Sequence, residues 1–111
     1  MEMMSNSTTN RLAGKHALVF GGGQMPGDTI GNGKAASILF AREGANVLVV
    51  DRDHSRAEDT CQAIVSEGGT AVPHEADVTD ESACAGAIER AGELWGSLDI
   101  MHYNVGVADG D

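Results

Sequence analysis

The sequence predicts an α/β fold, a parallel sheet of about four strands in the order 3-2-1-4 with helices on its faces. Three observations carry that prediction. Short apolar runs, each closed by glycine or polar residues, alternate with longer segments whose apolar residues recur at helical spacing. Strands separated by such crossover helices must run parallel, and right-handed crossovers give half of a doubly wound sheet. Finally, Pro73 falls inside the third strand run. A proline removes one ladder donor, and the order 3-2-1-4 puts that strand at an edge, where the loss is tolerated.

Residues 1–10, MEMMSNSTTN, are polar and lack the basic start and apolar stretch of a secretory signal; they read as a disordered tail. Residues 11–111 have room for one modest domain. Its first strand is Lys15-HALVF-Gly21, a run apolar enough to be buried on both faces. A glycine-rich loop follows. Helical character begins near Gly31 and runs through KAASILFARE to Gly44, a C-terminal cap. Asn46-VLVV-Asp51 is the second buried strand. Ser55-Arg-Ala-Glu58 has capping-box spacing, and behind it Ala57, Cys61, Ile64 and Val65 share one helix face until Gly68-Gly69. Thr70-AVPHEA-Asp77 is the third strand. Thr79 caps a third helix with a stripe of Cys84, Ala87, Ile88, Ala91, Leu94 and Trp95, and Leu98-DIMHY-Asn104 is the fourth strand.

Seven Lys and Arg face seventeen Asp and Glu, a net charge of -10. That balance argues against a nucleic-acid backbone as partner, and no polybasic segment addresses an anionic membrane. No apolar run reaches the length of a membrane span. Two cysteines without a C-x-x-C pattern fit reduced thiols, so a cytoplasmic location is expected.

The stretch FGGGQMPGDTIGNGKA, Phe20 to Ala35, joins the first strand to the first helix at the carboxyl end of the sheet. Its part Gly27-DTI-Gly31-Asn32-Gly33 fits G-x-x-x-G-x-G. Glycine there lets the backbone turn sharply, approach a pyrophosphate and pack the helix closely on its strand. The free N–H groups and positive end of the helix then favour phosphate. Asp51 ends the second strand eighteen residues after Gly33, near the interval for a carboxylate that accepts from adenosine ribose hydroxyls. Strand, loop, helix, strand and terminal acid in this order point to a dinucleotide-binding domain of Rossmann type.

RLAGKHALVFGGG…GNGKAASILFAREGANVLVVDRD, then ADVTD, then GSLDIMHYNVG, resembles the first half of a short-chain dehydrogenase/reductase from about Arg11 to Gly106. The resemblance implies an oxidoreductase that moves hydride between a nicotinamide cofactor and an alcohol or carbonyl. It makes Gly31 and Gly33 the second and third glycines of the cofactor loop, with either Gly21 or Gly27 as the first. Asp51 would select NAD over NADP, because a carboxylate repels the 2′-phosphate. Asp77 and Val78 would hold the adenine, and Asn104-Val105-Gly106 would match the end of the family's N-N-A-G beside the nicotinamide-side ribose. The sequence departs from the family in its longer loop and in Tyr103 and Val105, which replace Asn and Ala of N-N-A-G. A longer loop also occurs in the divergent enoyl-reductase branch.

The family's catalytic Ser and Tyr-x-x-x-Lys lie past the point reached by these 111 residues. The single tyrosine, Tyr103, has Val107 four positions on, so no residue here is expected to be catalytic. Alternatives are a stand-alone nucleotide-binding module and a non-catalytic remnant. Self-association through the open edge of the fourth strand is also expected. Arg52, just after Asp51, could in principle meet a 2′-phosphate, but the Asp51 before it favours NAD. Asp53 and His54 read as solvated at a helix start rather than as metal ligands. Cys61 and Cys84, on apolar stripes, read as small core residues.

Overall fold

The computed structural model describes residues 11–21 and 32–103. The expected tail over residues 1–10 lies outside them. Four strands and three helices alternate: β1 (His16–Phe20), α1 (Asn32–Arg42), β2 (Asn46–Asp51), α2 (His54–Ser66), β3 (Thr70–Glu75), α3 (Glu81–Trp95) and β4 (Ile100–Tyr103). They form one parallel sheet in the order β3-β2-β1-β4, a Rossmann-like arrangement. Register runs from His16 beside Asn46 to Phe20 beside Val50, and from Ala17 beside Ile100 to Phe20 beside Tyr103. Pro73 lies beside Val49 in β3, which has a neighbour on one side only. An edge strand is where a missing donor is tolerated.

The two central strands are unbroken apolar runs because both of their faces are covered. On one face Ala17, Val19, Val47 and Val49 pack with Ala57, Cys61 and Ile64 of α2 and with Ile38, Phe40 and Ala41 of α1. On the other, Leu18, Phe20, Leu48 and Val50 pack with Ala87 and Ala91 of α3, flanked by Cys84, Leu94 and Trp95. Trp95 is half-buried, its ring stacked 5.2 Å from that of His16. Over β4, Met101 and Tyr103 stand exposed. Among the described residues no helix is long and apolar enough to cross a membrane.

Four local expectations are corrected. The cap of α2 is Asp53, not Ser55: the Asp53 carboxylate accepts from the Ser55 N–H at 3.0 Å and from its hydroxyl at 2.7 Å, so the serine is a donor to the cap. The cap of α3 is Asp80, not Thr79, whose N–H and hydroxyl both turn back to Asp77. Val65 and Ile88 are 56% and 41% exposed; each lies at the margin of its helix stripe, beyond what the sheet covers. The fourth strand starts at Ile100 rather than Leu98, because Asp99 first exchanges bonds with His16 at the entry to the sheet.

Gly44 and Gly68 follow the ends of α1 and α2 with φ of +99° and +91°. A Cβ on Gly44 would stand 3.0 Å from the Ala13 backbone, whereas one on Gly68 meets nothing within 4 Å. Gly68→Ala is therefore expected to cost about 1–2 kcal/mol of left-handed strain. Gly44→Ala adds overpacking of roughly 1–3 kcal/mol. Equal losses of stability in urea denaturation would contradict this placement of residue 13 against the α1 terminus.

Candidate functional site

Parallel connectivity collects the carboxyl ends of β1, β2 and β3 and the start of α1 at one edge of the sheet. Gly21 leaves β1 with φ of +73°, its N–H donating to the Val50 carbonyl at 2.8 Å. That φ is where a side chain is strained and glycine is not. Asn32 is the first residue of α1 and Gly33 is buried in its first turn. The hydroxyl of Ser37, fully buried, donates to the Gly33 carbonyl at 2.8 Å and ties that turn to the next. Gly27, Gly31, Asn104, Val105 and Gly106 lie outside the described residues.

At the end of β2, Asp51 is only 7% exposed. Its Oδ1 accepts from the Asp53 N–H at 2.9 Å, and its carbonyl accepts from the Ala76 N–H at 3.1 Å. This last bond ties the end of β2 to the chain leaving β3. Asp77 follows, exposed, with Oδ1 accepting from the Thr79 N–H at 2.9 Å and from its hydroxyl at 2.7 Å. Those bonds, and to a lesser degree the Arg52 cation, hold the Asp77 carboxyl below the usual aspartate value. Arg52 is exposed, near enough to Asp77 for its charge to be felt there. Val78 is half-buried beneath, packed on the α3-side core, with its carbonyl accepting from the Cys84 thiol at 3.3 Å.

The structure therefore brings together Gly21, Gly33, Asp51, Arg52, Asp77 and Val78 from three strand ends and one helix start. Two residues that sequence reasoning passed over belong beside them. Ser37 lies four residues after Gly33, the spacing at which a helical hydroxyl reaches back to a carbonyl. Asp53 reads from the sequence as solvated, yet its backbone N–H donates to Asp51. The signal was present in Asp53-His-Ser55 and Asp77-Val-Thr79, two Asp-x-Ser/Thr turns at corresponding places. Among the described residues no group of three or more His, Cys, Asp or Glu is arranged to hold a metal. A cavity of about 740 Å³ lies at the opposite end of the sheet, lined by Arg42, Asn46, Glu67 and Thr70 among others. It shares no residue with the carboxyl edge.

A sequence profile of the short chain dehydrogenase family matches residues 15–111. The chain is 38% identical over 95 residues to the uncharacterized oxidoreductase YhxC of Bacillus subtilis, covering 85% of this chain and 31% of that protein. Identity to general stress protein 39 of the same organism is 36% over 98 residues, 87% and 32% of the two chains. The crystal structure of a hydroxysteroid dehydrogenase from Escherichia coli superposes with a TM-score of 0.79 at 32% identity, covering 88% of this chain and 39% of that one. A variant of a Serratia marcescens short-chain dehydrogenase/reductase gives 0.77 at 35% identity, with 86% and 37% covered. The chain thus spans about a third of the length of these relatives.

Neither thiol joins the carboxyl edge as a nucleophile. Burial, with a smaller contribution from Glu58, pushes the Cys61 thiol up to about 12, so it stays protonated at neutral pH. Cys84 is half-buried and donates to a carbonyl. In native protein at neutral pH, Cys61 is expected to resist a thiol-labelling reagent until denaturant is added. Mass spectrometry of labelled peptides reads this directly, and rapid native labelling of Cys61 would contradict its place in the α2–sheet core.

Proposed function

The chain belongs to the short-chain dehydrogenases, and from that membership we propose that it is the NAD-binding N-terminal part of an oxidoreductase acting on an alcohol or carbonyl. One observation carries the choice of NAD: a nearly buried carboxylate, Asp51, at the end of the second strand of a glycine-loop sheet. The residues present fit the group. Asp51 accepts from the adenosine ribose hydroxyls and repels a 2′-phosphate in their place. Gly33 and the N-terminal N–H groups of α1 take the pyrophosphate, where the helix end favours negative charge. Asp77 and Val78 hold the adenine, and Asn104 to Gly106 border the nicotinamide-side ribose. When bound, the nicotinamide supplies the hydride chemistry.

The reading gives no residue of this chain a proton-transfer role. Tyr103 is paired in β4 and stacks on Phe20 with ring centroids 4.6 Å apart. Val107, not a lysine, stands four positions after it.

Calorimetric titration with NAD and NADP is the test. NAD is expected to bind at least roughly tenfold more tightly, since one charge-assisted pair is worth about 1.5–3 kcal/mol. Asp51→Ala should weaken NAD by about that amount and narrow the gap between the cofactors. Equal affinities of the unaltered protein for the two cofactors would remove Asp51 from the ribose site. In addition, Gly33→Val should abolish binding of both cofactors while helical content by circular dichroism is kept, because a β-branched side chain would stand in the phosphate approach. Normal binding by that variant would move the phosphate site away from α1.

A further inference from the structure

We propose that Asp53 is a positioning residue for cofactor discrimination: its side chain pins the turn whose backbone N–H holds the Asp51 carboxylate in place. The inference rests on the assignment of Asp51 to the ribose.

The Asp53 N–H donates to Asp51 Oδ1 at 2.9 Å. That N–H belongs to the peptide leading into Asp53, so its place beside residue 51 depends on residue 53 being anchored at the start of α2, where it is the extended cap, φ -105° and ψ 106°. The Asp53 side chain supplies that anchor. Its Oδ1 accepts from the N–H and hydroxyl of Ser55 at 3.0 and 2.7 Å, and Arg56 Nε lies 3.4 Å from Oδ2. The Asp53 carbonyl in turn accepts from Arg56 and Ala57 N–H groups and starts α2. Ala57 is fully buried against the sheet. An unbroken path of bonds therefore runs from the Asp51 carboxylate through residue 53 to the core.

A carboxylate tied at one oxygen is preorganised, and preorganised groups lose less freedom on binding. The ribose diol needs that carboxylate in one orientation, whereas a 2′-phosphate gains when it swings aside. Loss of the Asp53 side chain is thus expected to act on the ratio of NAD to NADP affinity, not on both equally. A merely structural cap would lower the melting temperature and leave the ratio unmoved.

The experiment titrates NAD and NADP into the unaltered protein, Asp51→Ala, Asp53→Ala, Asp53→Asn and the double variant, with melting curves alongside. Asp53→Ala should weaken NAD roughly five- to tenfold, the scale of one lost cap, while changing NADP by less than about twofold. Asp53→Asn retains an oxygen that accepts from Ser55 and should restore NAD binding. In the Asp51→Ala background, Asp53→Ala should produce no further loss, because both changes act through one carboxylate. Equal weakening of both cofactors, no rescue by Asn, or additive losses in the double variant would each overturn the proposal. If Asp51→Ala itself leaves the ratio unchanged, the ribose assignment fails and the proposal with it. Discrimination that is lost in Asp51→Ala and kept in Asp53→Ala refutes the positioning role alone. Should Asp53→Ala not fold, Ser55→Ala loosens the same cap more gently; a ratio unchanged in that variant would also overturn the proposal.

Discussion

Parallel strand pairing is the constraint on which the rest of this structure depends. Each of the three connections must return the chain to the starting edge, so every strand ends, and every helix begins, on one side. Residues as far apart in sequence as Gly21, Asp51 and Asp77 meet at that edge for this reason alone. The opposite edge receives what is left over: helix C-termini, strand starts and the Arg42–Glu67 ion pair at 2.8 Å. A single topological rule thus separates the strand ends and helix starts from the strand starts and helix ends.

The same edge is where helix N-termini need acceptors, and aspartates supply them. Asp53 and Asp80 cap α2 and α3. Asp51 and Asp77, two and three positions earlier, each have Oδ1 held by the turn that follows. Ser55 bonds hold the Asp53 carboxyl below its usual value, and Thr79 bonds do the same for Asp77. A lowered carboxyl contributes stability above its unfolded pKa and loses it as pH falls through the folded value. Both turns are consequently fully formed at neutral pH and loosen only in acid. Each cap thus sits directly behind one of these held carboxylates.

Much of this was legible in the sequence because it follows from periodicity. LVF, VLVV and the Ala57–Cys61–Ile64 face announce elements whose burial is set by spacing, and Pro73 marks an edge. Asp51 and Asp77-Val78 could be placed at strand ends because the apolar runs stop there. The helix starts were not readable in the same way. Ser55-x-x-Glu58 has the spacing of a cap, yet Asp53 wins because a carboxylate accepts two bonds from the serine that would otherwise have capped. Thr79 loses to Asp80 differently: its N–H and hydroxyl are taken up by Asp77, leaving Asp80 to accept from Ser82 and Ala83. Nor could spacing show that Val65 and Ile88 sit outside the covered width of the sheet, since a stripe has no intrinsic edge until something packs on it. The hydroxyl of Ser37 reads as ordinary helix composition until the Gly33 carbonyl is placed beneath it.

The central claim is that the carboxyl edge of the β3-β2-β1-β4 sheet receives the dinucleotide. Backbone amide resonances followed by NMR while NAD is added test it most directly. The account predicts shifts at Gly21, Gly33, Asp51 to Asp53, Asp77 and Val78, with Arg42, Gly44, Glu67 and Thr70 at the opposite end unmoved. Shifts concentrated at that opposite end, with the residues of the carboxyl edge silent, would contradict it.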